Sequence, residues 1–211
     1  MPKRRTGRIK RGGVEREPKV RFFLFCEGRN TEPAYFRAVR EELYGDVLIE
    51  IEGGVGEPRT VADRACARKR QNRKGSFQKN DRFWAVFDRD DHQKFDEAVG
   101  FCQANEIGVA RSDPCFELWL ILHEKDYDSP DGSEAVQKEL ATLRPEYDRR
   151  GRKIPDCGEM VKRLPDAEER SRQQLNRRHG ENNPFGRPST TVGELTKEIR
   201  EAHERDRRNK T

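Results

Sequence analysis

A chain of 211 residues is long enough for one domain with a proper core plus insertions or tails. Only 32% of the residues are hydrophobic and 39% are charged; the net charge of +5 is too small to announce a polyanionic partner by itself. No run approaches the roughly 20 apolar residues of a membrane span, and the first residues lack the apolar stretch of a signal peptide, which points to a cytoplasmic protein without membrane contact.

The five cysteines, Cys26, Cys66, Cys102, Cys115 and Cys157, are odd in number and lack C-x-x-C spacing, which argues against a disulfide framework or zinc site. Small buried hydrophobes are their expected role. Apolar residues concentrate between positions 20 and 124. The expected organisation is therefore a basic disordered arm at 1–19, a core at 20–125, and a charged helical extension at 126–211 packing on or beside that core. The arm is rich in Lys and Arg; a solvated tail and a phosphate-neutralising arm are both consistent with it.

In chain order, residues 20–26 (VRFFLFC) read as a strand buried on both faces, closed by Glu27-Gly28. Thr31 is the expected N-cap of a helix with Pro33 in its first turn and Tyr35, Phe36, Val39 and Leu43 at helical spacing; Gly45 ends it. Residues 47–51 (VLIEI) predict a second strand, followed by a glycine-rich loop at 53–56. That loop lacks the phosphate-loop pattern and reads as a flexible turn. A very basic helix is predicted from Pro58 to Asn72, and residues 82–87 (RFWAVF) are the clearest strand in the chain. A helix over Lys94 to Asn105 and a short strand over Ile107 to Arg111 come next. Pro114 then opens an apolar helix, CFELWLILHE, in which Phe116 and Trp119 are core.

Past Lys125 the chain turns polar, with short helices expected at 133–143 and 157–177. Thr191-x-x-Glu194 has capping-box spacing and begins a last helix with Val192, Leu195 and Ile199 as its apolar stripe. The alternation of strands and helices predicts an α/β fold whose mostly parallel sheet is flanked by helices on both faces.

Two acidic clusters follow two predicted parallel strands. Open α/β sheets bind ligands at the carboxyl ends of their strands, so Glu27 and the Asp88/Asp90 pair are expected to share one crevice. Alternate side chains point the same way beyond a strand, which lets Asp88 and Asp90 converge while Arg89 points elsewhere. Carboxylates gathered at one spot repel unless a cation lies between them, and Mg²⁺ (or Mn²⁺) is the natural occupant of an all-oxygen site. Either cluster alone is better explained by chance and by the preference of helix N-termini for acidic residues; the two together, each after a buried strand, favour a site. The segment before the second cluster carries Arg64, Arg68, Lys69, Arg70, Arg73, Lys74 and Lys79. These residues form either a solvated face or a nucleic-acid-binding surface that offsets the repulsion of the carboxylates.

The blocks C-E-G-x-x-T-E-P-x-Y-F (Cys26 to Phe36), V-F-D-R-D-x-H (Val86 to His92) and S-x-P-C-F-E-L-W-L-x-L-H (Ser112 to His123) resemble the RloB-like family. Asn183 to Glu198 is a weaker echo. Proteins of that family occur in restriction and phage-defence loci, often beside an ATPase gene. The first two blocks are similar to the Toprim signature, a Glu after the first strand and a D-x-D after a later one. The resemblance implies a Toprim-like, Rossmann-like core with Glu27, Asp88 and Asp90 as metal ligands or general acid/base, and Glu117 in the active site. An acidic residue in so apolar a helix is costly to bury as mere core. Glu32 stands where related nucleases carry a second acidic residue; a second-metal ligand and a helix-dipole role are both open. Asp91 and His92 are possible auxiliary groups, a phosphate-orienting or proton-shuttling His being one reading and a solvent-facing loop the other.

The implied function is metal-dependent phosphodiester hydrolysis of DNA or RNA in defence against foreign elements. The rival is a Toprim-fold, nucleic-acid-binding or regulatory subunit that works only with a partner ATPase. A primase-like nucleotidyl transferase shares the metal site, but no zinc-binding module accompanies it here.

Overall fold

The computed structural model of the protein describes residues 20–43, 47–72, 78–89, 92, 94–148 and 154–208. The arm at 1–19 and the expected positions of Gly45, Arg73, Lys74, Asp90 and Asp91 lie outside the described residues.

The sheet is built from β1 (Arg21–Cys26), β2 (Leu48–Glu52), β3 (Asp81–Asp88), β4 (Gly108–Asp113) and β5 (Ser189–Thr190), in the order β2-β1-β3-β4-β5. The first four are mutually parallel, and β5 runs antiparallel to β4. The helices are α1 (Thr31–Glu42), α2 (Pro58–Asn72), α3 (Phe95–Ala104), α4 (Glu117–Leu122), α5 (Ser133–Leu143), α6 (Cys157–Val161), α7 (Leu164–Gly180) and α8 (Val192–Arg208). The chain is thus a mixed α/β protein with a mostly parallel five-stranded sheet. None of the described helices is long and apolar enough to cross a membrane.

The interior strand β1 reads RFFLFC because it is covered on both faces. Its alternate residues Phe22, Leu24 and Cys26 join one core with Tyr35 and Phe36 of α1 and Leu118 to Leu122 of α4. Phe23 and Phe25 join a second, smaller core with Val61 and Ala65 of α2 and Phe95 and Ala98 of α3. The polar second half of the chain shares the larger core. Val136 and Leu140 of α5, Met160 of α6, Leu164 and Ala167 of α7, and Val192, Leu195 and Ile199 of α8 all belong to it. All five cysteines are buried free thiols.

Several boundaries differ from the expected ones for local reasons. The N-cap of α1 is Asn30, whose side chain makes no capping bond, rather than Thr31. Instead Glu32 reaches back, its Oε1 accepting the Gly28 N–H at 2.9 Å. The predicted helix at 157–177 is two helices, α6 and α7, with Arg163 as N-cap of the second and Pro165 in its first turn. Thr191 does not close a capping box with its hydroxyl. Its Oγ1 accepts the Arg111 N–H at 2.9 Å and donates to the Val109 carbonyl at 2.8 Å, so it is spent on the edge of β4. That use of Thr191 accompanies the short strand β5, which the two residues Ser189 and Thr190 gave no periodic signal to predict.

Candidate active site

The β1–β3 ladder continues one residue past β1, the Glu27 N–H donating to the Val86 carbonyl at 2.9 Å. This holds Glu27 at the carboxyl end of the sheet beside the last residue of β3, Asp88. The Asp88 N–H donates to Glu27 Oε2 at 3.0 Å, and His92 Nε2 lies 3.0 Å from Glu27 Oε1. Both oxygens of Glu27 are therefore oriented by the segment that follows β3, while its side chain stays about one fifth exposed (20%).

Asp88 has the parity of Trp84 and Val86 on β3 and so projects to the face covered by α1 and α4. That face carries Glu32, on the first turn of α1, and Glu117, on the first turn of α4, which are only 6% and 7% exposed. Glu117 is fixed from the second half of the chain, Tyr147 donating its hydroxyl to Oε1 at 2.9 Å. Gly28 makes this packing possible: a Cβ there would stand 2.2 Å from Glu32 Oε2. The glycine-rich loop closes the rim by pairing with the turn after β1, the Gly54 N–H donating to the Gly28 carbonyl at 2.8 Å and the Val55 N–H to that of Cys26 at 3.2 Å.

Four carboxylates from four separate segments thus meet at the strand ends, and they perturb one another. Burial raises the Asp88 carboxyl well above its ordinary range, and the charges of Glu32, Glu117 and Glu27 raise it further, against the opposing pull of the Phe116 N–H. Burial likewise lifts Glu32 to about 7, with Glu117 and Glu27 adding to it and the N–H groups of Glu32 and Gly28 holding it down. Among the described residues no group of three or more His, Cys, Asp or Glu side chains is placed to hold a metal ion as it stands. The donor set nonetheless fits a hard divalent cation. It is made of carboxylate oxygens, and burial together with neighbouring charge favours protonation of Asp88 and Glu32 in the absence of a cation.

Of the expected site residues, Glu27, Glu32, Asp88, Glu117 and His92 are brought together; Asp90 and Asp91 lie outside the described residues. Of the basic residues that are described, Arg64 pairs with Glu52 at the carboxyl end of β2, and the others are placed elsewhere. Lys69 donates to the carbonyls of Asn105 and Glu106, just before β4 begins, and Asn72 to Asp81, the first residue of β3. Arg68 pairs with Glu50 and lies over the Phe23 ring. Lys79, whose carbonyl accepts from Arg82, stands at the same end of the sheet, and Arg70 is exposed on the last turn of α2. β3 spans eight residues, roughly 23 Å, between that end and the carboxylates. Arg68, Lys69, Arg70 and Lys79 therefore do not flank the acidic cluster.

The cations that do stand near it were not singled out in the sequence. Arg89, directly after Asp88, lies 3.5 Å from Asp113 at the end of β4, and Arg187 donates to the same carboxylate at 2.5 Å. Tyr147 was missed as well. It falls in a polar stretch with no periodic pattern, and only the unexplained acid in α4 hinted that a partner must exist.

Behind the cluster, the His123 ring pairs with the Tyr35 hydroxyl at 3.0 Å and the Trp119 carbonyl at 3.0 Å. Burial lowers its pKa to about 4, so it is a neutral core imidazole rather than a catalytic base.

No curated protein and no solved structure is similar enough to this chain to count as a match. A family model described as RloB-like protein matches residues 22–199, a span that takes in the carboxylate cluster and the segments from the second half that support it. The chain belongs to the RloB-like family.

Proposed function

We propose that this chain is a Toprim-type, Mg²⁺- or Mn²⁺-dependent nuclease that hydrolyses phosphodiester linkages of DNA or RNA in the cytoplasm, in defence against phage and other foreign elements. The observation that carries the reading is the convergence of Glu27, Glu32, Asp88 and Glu117 at the carboxyl ends of parallel strands, with Asp88 and Glu32 driven toward protonation by burial and then by their neighbours' charge. So much uncompensated negative charge costs stability, and a structural role alone gives no return for it.

Glu27, Asp88 and Glu117 would hold the cation, with Glu32 at its margin. A divalent cation there supplies Lewis acidity to the phosphoryl group. Glu32, near 7, is matched to accept a proton from the attacking water at neutral pH. His92 Nε2, paired with Glu27 and about one third exposed (32%), is placed to deliver a proton to the departing oxygen. Tyr147 keeps Glu117 in register for ligation. The defence role and a partner ATPase come from the family resemblance.

The test is a cleavage panel of plasmid, single-stranded DNA, transfer RNA and ribosomal RNA with Mg²⁺, Mn²⁺ or EDTA, run beside Asp88→Ala. Metal-dependent cutting that disappears in the variant is expected. Cutting that survives in Asp88→Ala or in EDTA contradicts the reading. Silence on every substrate until an ATPase partner is added moves the assignment to a partner-dependent subunit.

A further inference from the structure

A partly exposed phenylalanine is tied through Arg89 to the end of β3, with its backbone held firmly. Phe185 is 42% exposed, in the turn that leads into β5. Three arginines bind the carbonyls of that turn. Arg111 donates to Pro184 at 3.0 Å, Arg89 to Phe185 at 2.7 Å and Arg178 to Arg187 at 2.9 Å. The turn closes on itself through the Gly186 N–H and the Asn183 carbonyl, 2.8 Å apart. A ring already ordered binds a ligand without an ordering cost.

The surroundings indicate the ligand. The Arg111 guanidinium lies over the ring, 5.0 Å from its centroid. Arg89 and Arg187 share the single buried carboxylate of Asp113, each keeping 33% of its side chain exposed, so the rim carries excess positive charge. Ring and Arg111 also line a cavity of about 440 Å³ of mixed character, whose wall carries Val109 and Leu175 beside Asn176, His179, Arg172 and Glu194. An aromatic face, exposed guanidinium groups and a slot with apolar and polar walls together suit a planar base joined to a phosphate. Arg89 ties this platform to Asp88, its neighbour in the chain.

We propose that Phe185 stacks an unpaired base of the nucleic acid next to the cleaved linkage, with Arg89 and Arg187 on the adjoining phosphates. A base inside a duplex presents no free face to the ring, so the platform selects single strands or loops. The inference rests on reading the carboxylate cluster as a phosphodiester site.

Binding of labelled single-stranded DNA and RNA oligonucleotides, and of their duplexes, to wild type, Phe185→Ala and Phe185→Trp in EDTA tests it by fluorescence anisotropy, with melting curves to confirm the fold. Stacking is worth about tenfold or more in affinity. The expected result is a loss of that size for single strands in Phe185→Ala, near wild-type affinity in Phe185→Trp, and little change for duplexes. Equal binding by wild type and Phe185→Ala, or an equal loss for single strands and duplexes, overturns the platform. If wild type still cuts nucleic acid in Mn²⁺ in either case, the proposed function survives. If wild type neither binds nor cuts nucleic acid, both fall.

Discussion

Asp88 and Glu32 occupy positions where their own charge is unfavourable, and the sign of the consequence can be worked out. A carboxyl whose folded pKa is raised leaves the fold unpenalised below its unfolded value near 4.5; stability is then lost as pH rises through about 7, as for Glu32. The metal-free protein is therefore least favoured by these groups in mildly alkaline solution. Asp88→Asn removes one charge, while an amide oxygen can still accept the Phe116 N–H. It is expected to raise the melting temperature in EDTA at pH 8. A lower melting temperature would mean that the carboxylates are compensated. Glu27, Asp88 and Glu117 were legible in the sequence because each acid adjoins a buried apolar run, which fixes where its side chain emerges. Tyr147 and Phe185 were not, since a hydrogen-bond donor or an exposed ring in a polar stretch has no periodicity to mark it.

Elements place these residues by direction as much as by neighbourhood. α2 returns from the carboxyl end of β2 to the amino end of β3, so its basic last turn is carried away from the acids that follow soon after it in sequence. Charge composition alone cannot reveal that reversal. The turn between β1 and α1 works the opposite way, bringing Glu27 and Glu32 to the same spot because Gly28 leaves room for the Glu32 carboxylate. Gly28→Ala is expected to push Glu32 out of place and to slow cleavage by roughly 100-fold, the scale of a 1 Å misplacement, with an unchanged circular dichroism spectrum. Wild-type cleavage by this variant would remove Glu32 from the site. Strands β1 and β3 were readable because burial on two faces writes apolar runs. β5 was not, because two residues cannot show a period.

At the scale of the molecule, the polar second half completes both the core and the site. It adds α8 to the larger core, supports Glu117 through Tyr147, and supplies the turn that presents Phe185. A low hydrophobic fraction hid this, since α8 buries only a narrow stripe and spends the rest of its surface on charge. In the proposed function this assembly gathers carboxylates to hold a divalent cation. Calorimetric titration of Mn²⁺ into the metal-free protein, beside Asp88→Asn, tests it without depending on the right substrate. The account predicts saturable binding to wild type that is lost in the variant, although the variant is folded and melts higher. No binding to wild type, or equal binding to both, would contradict it.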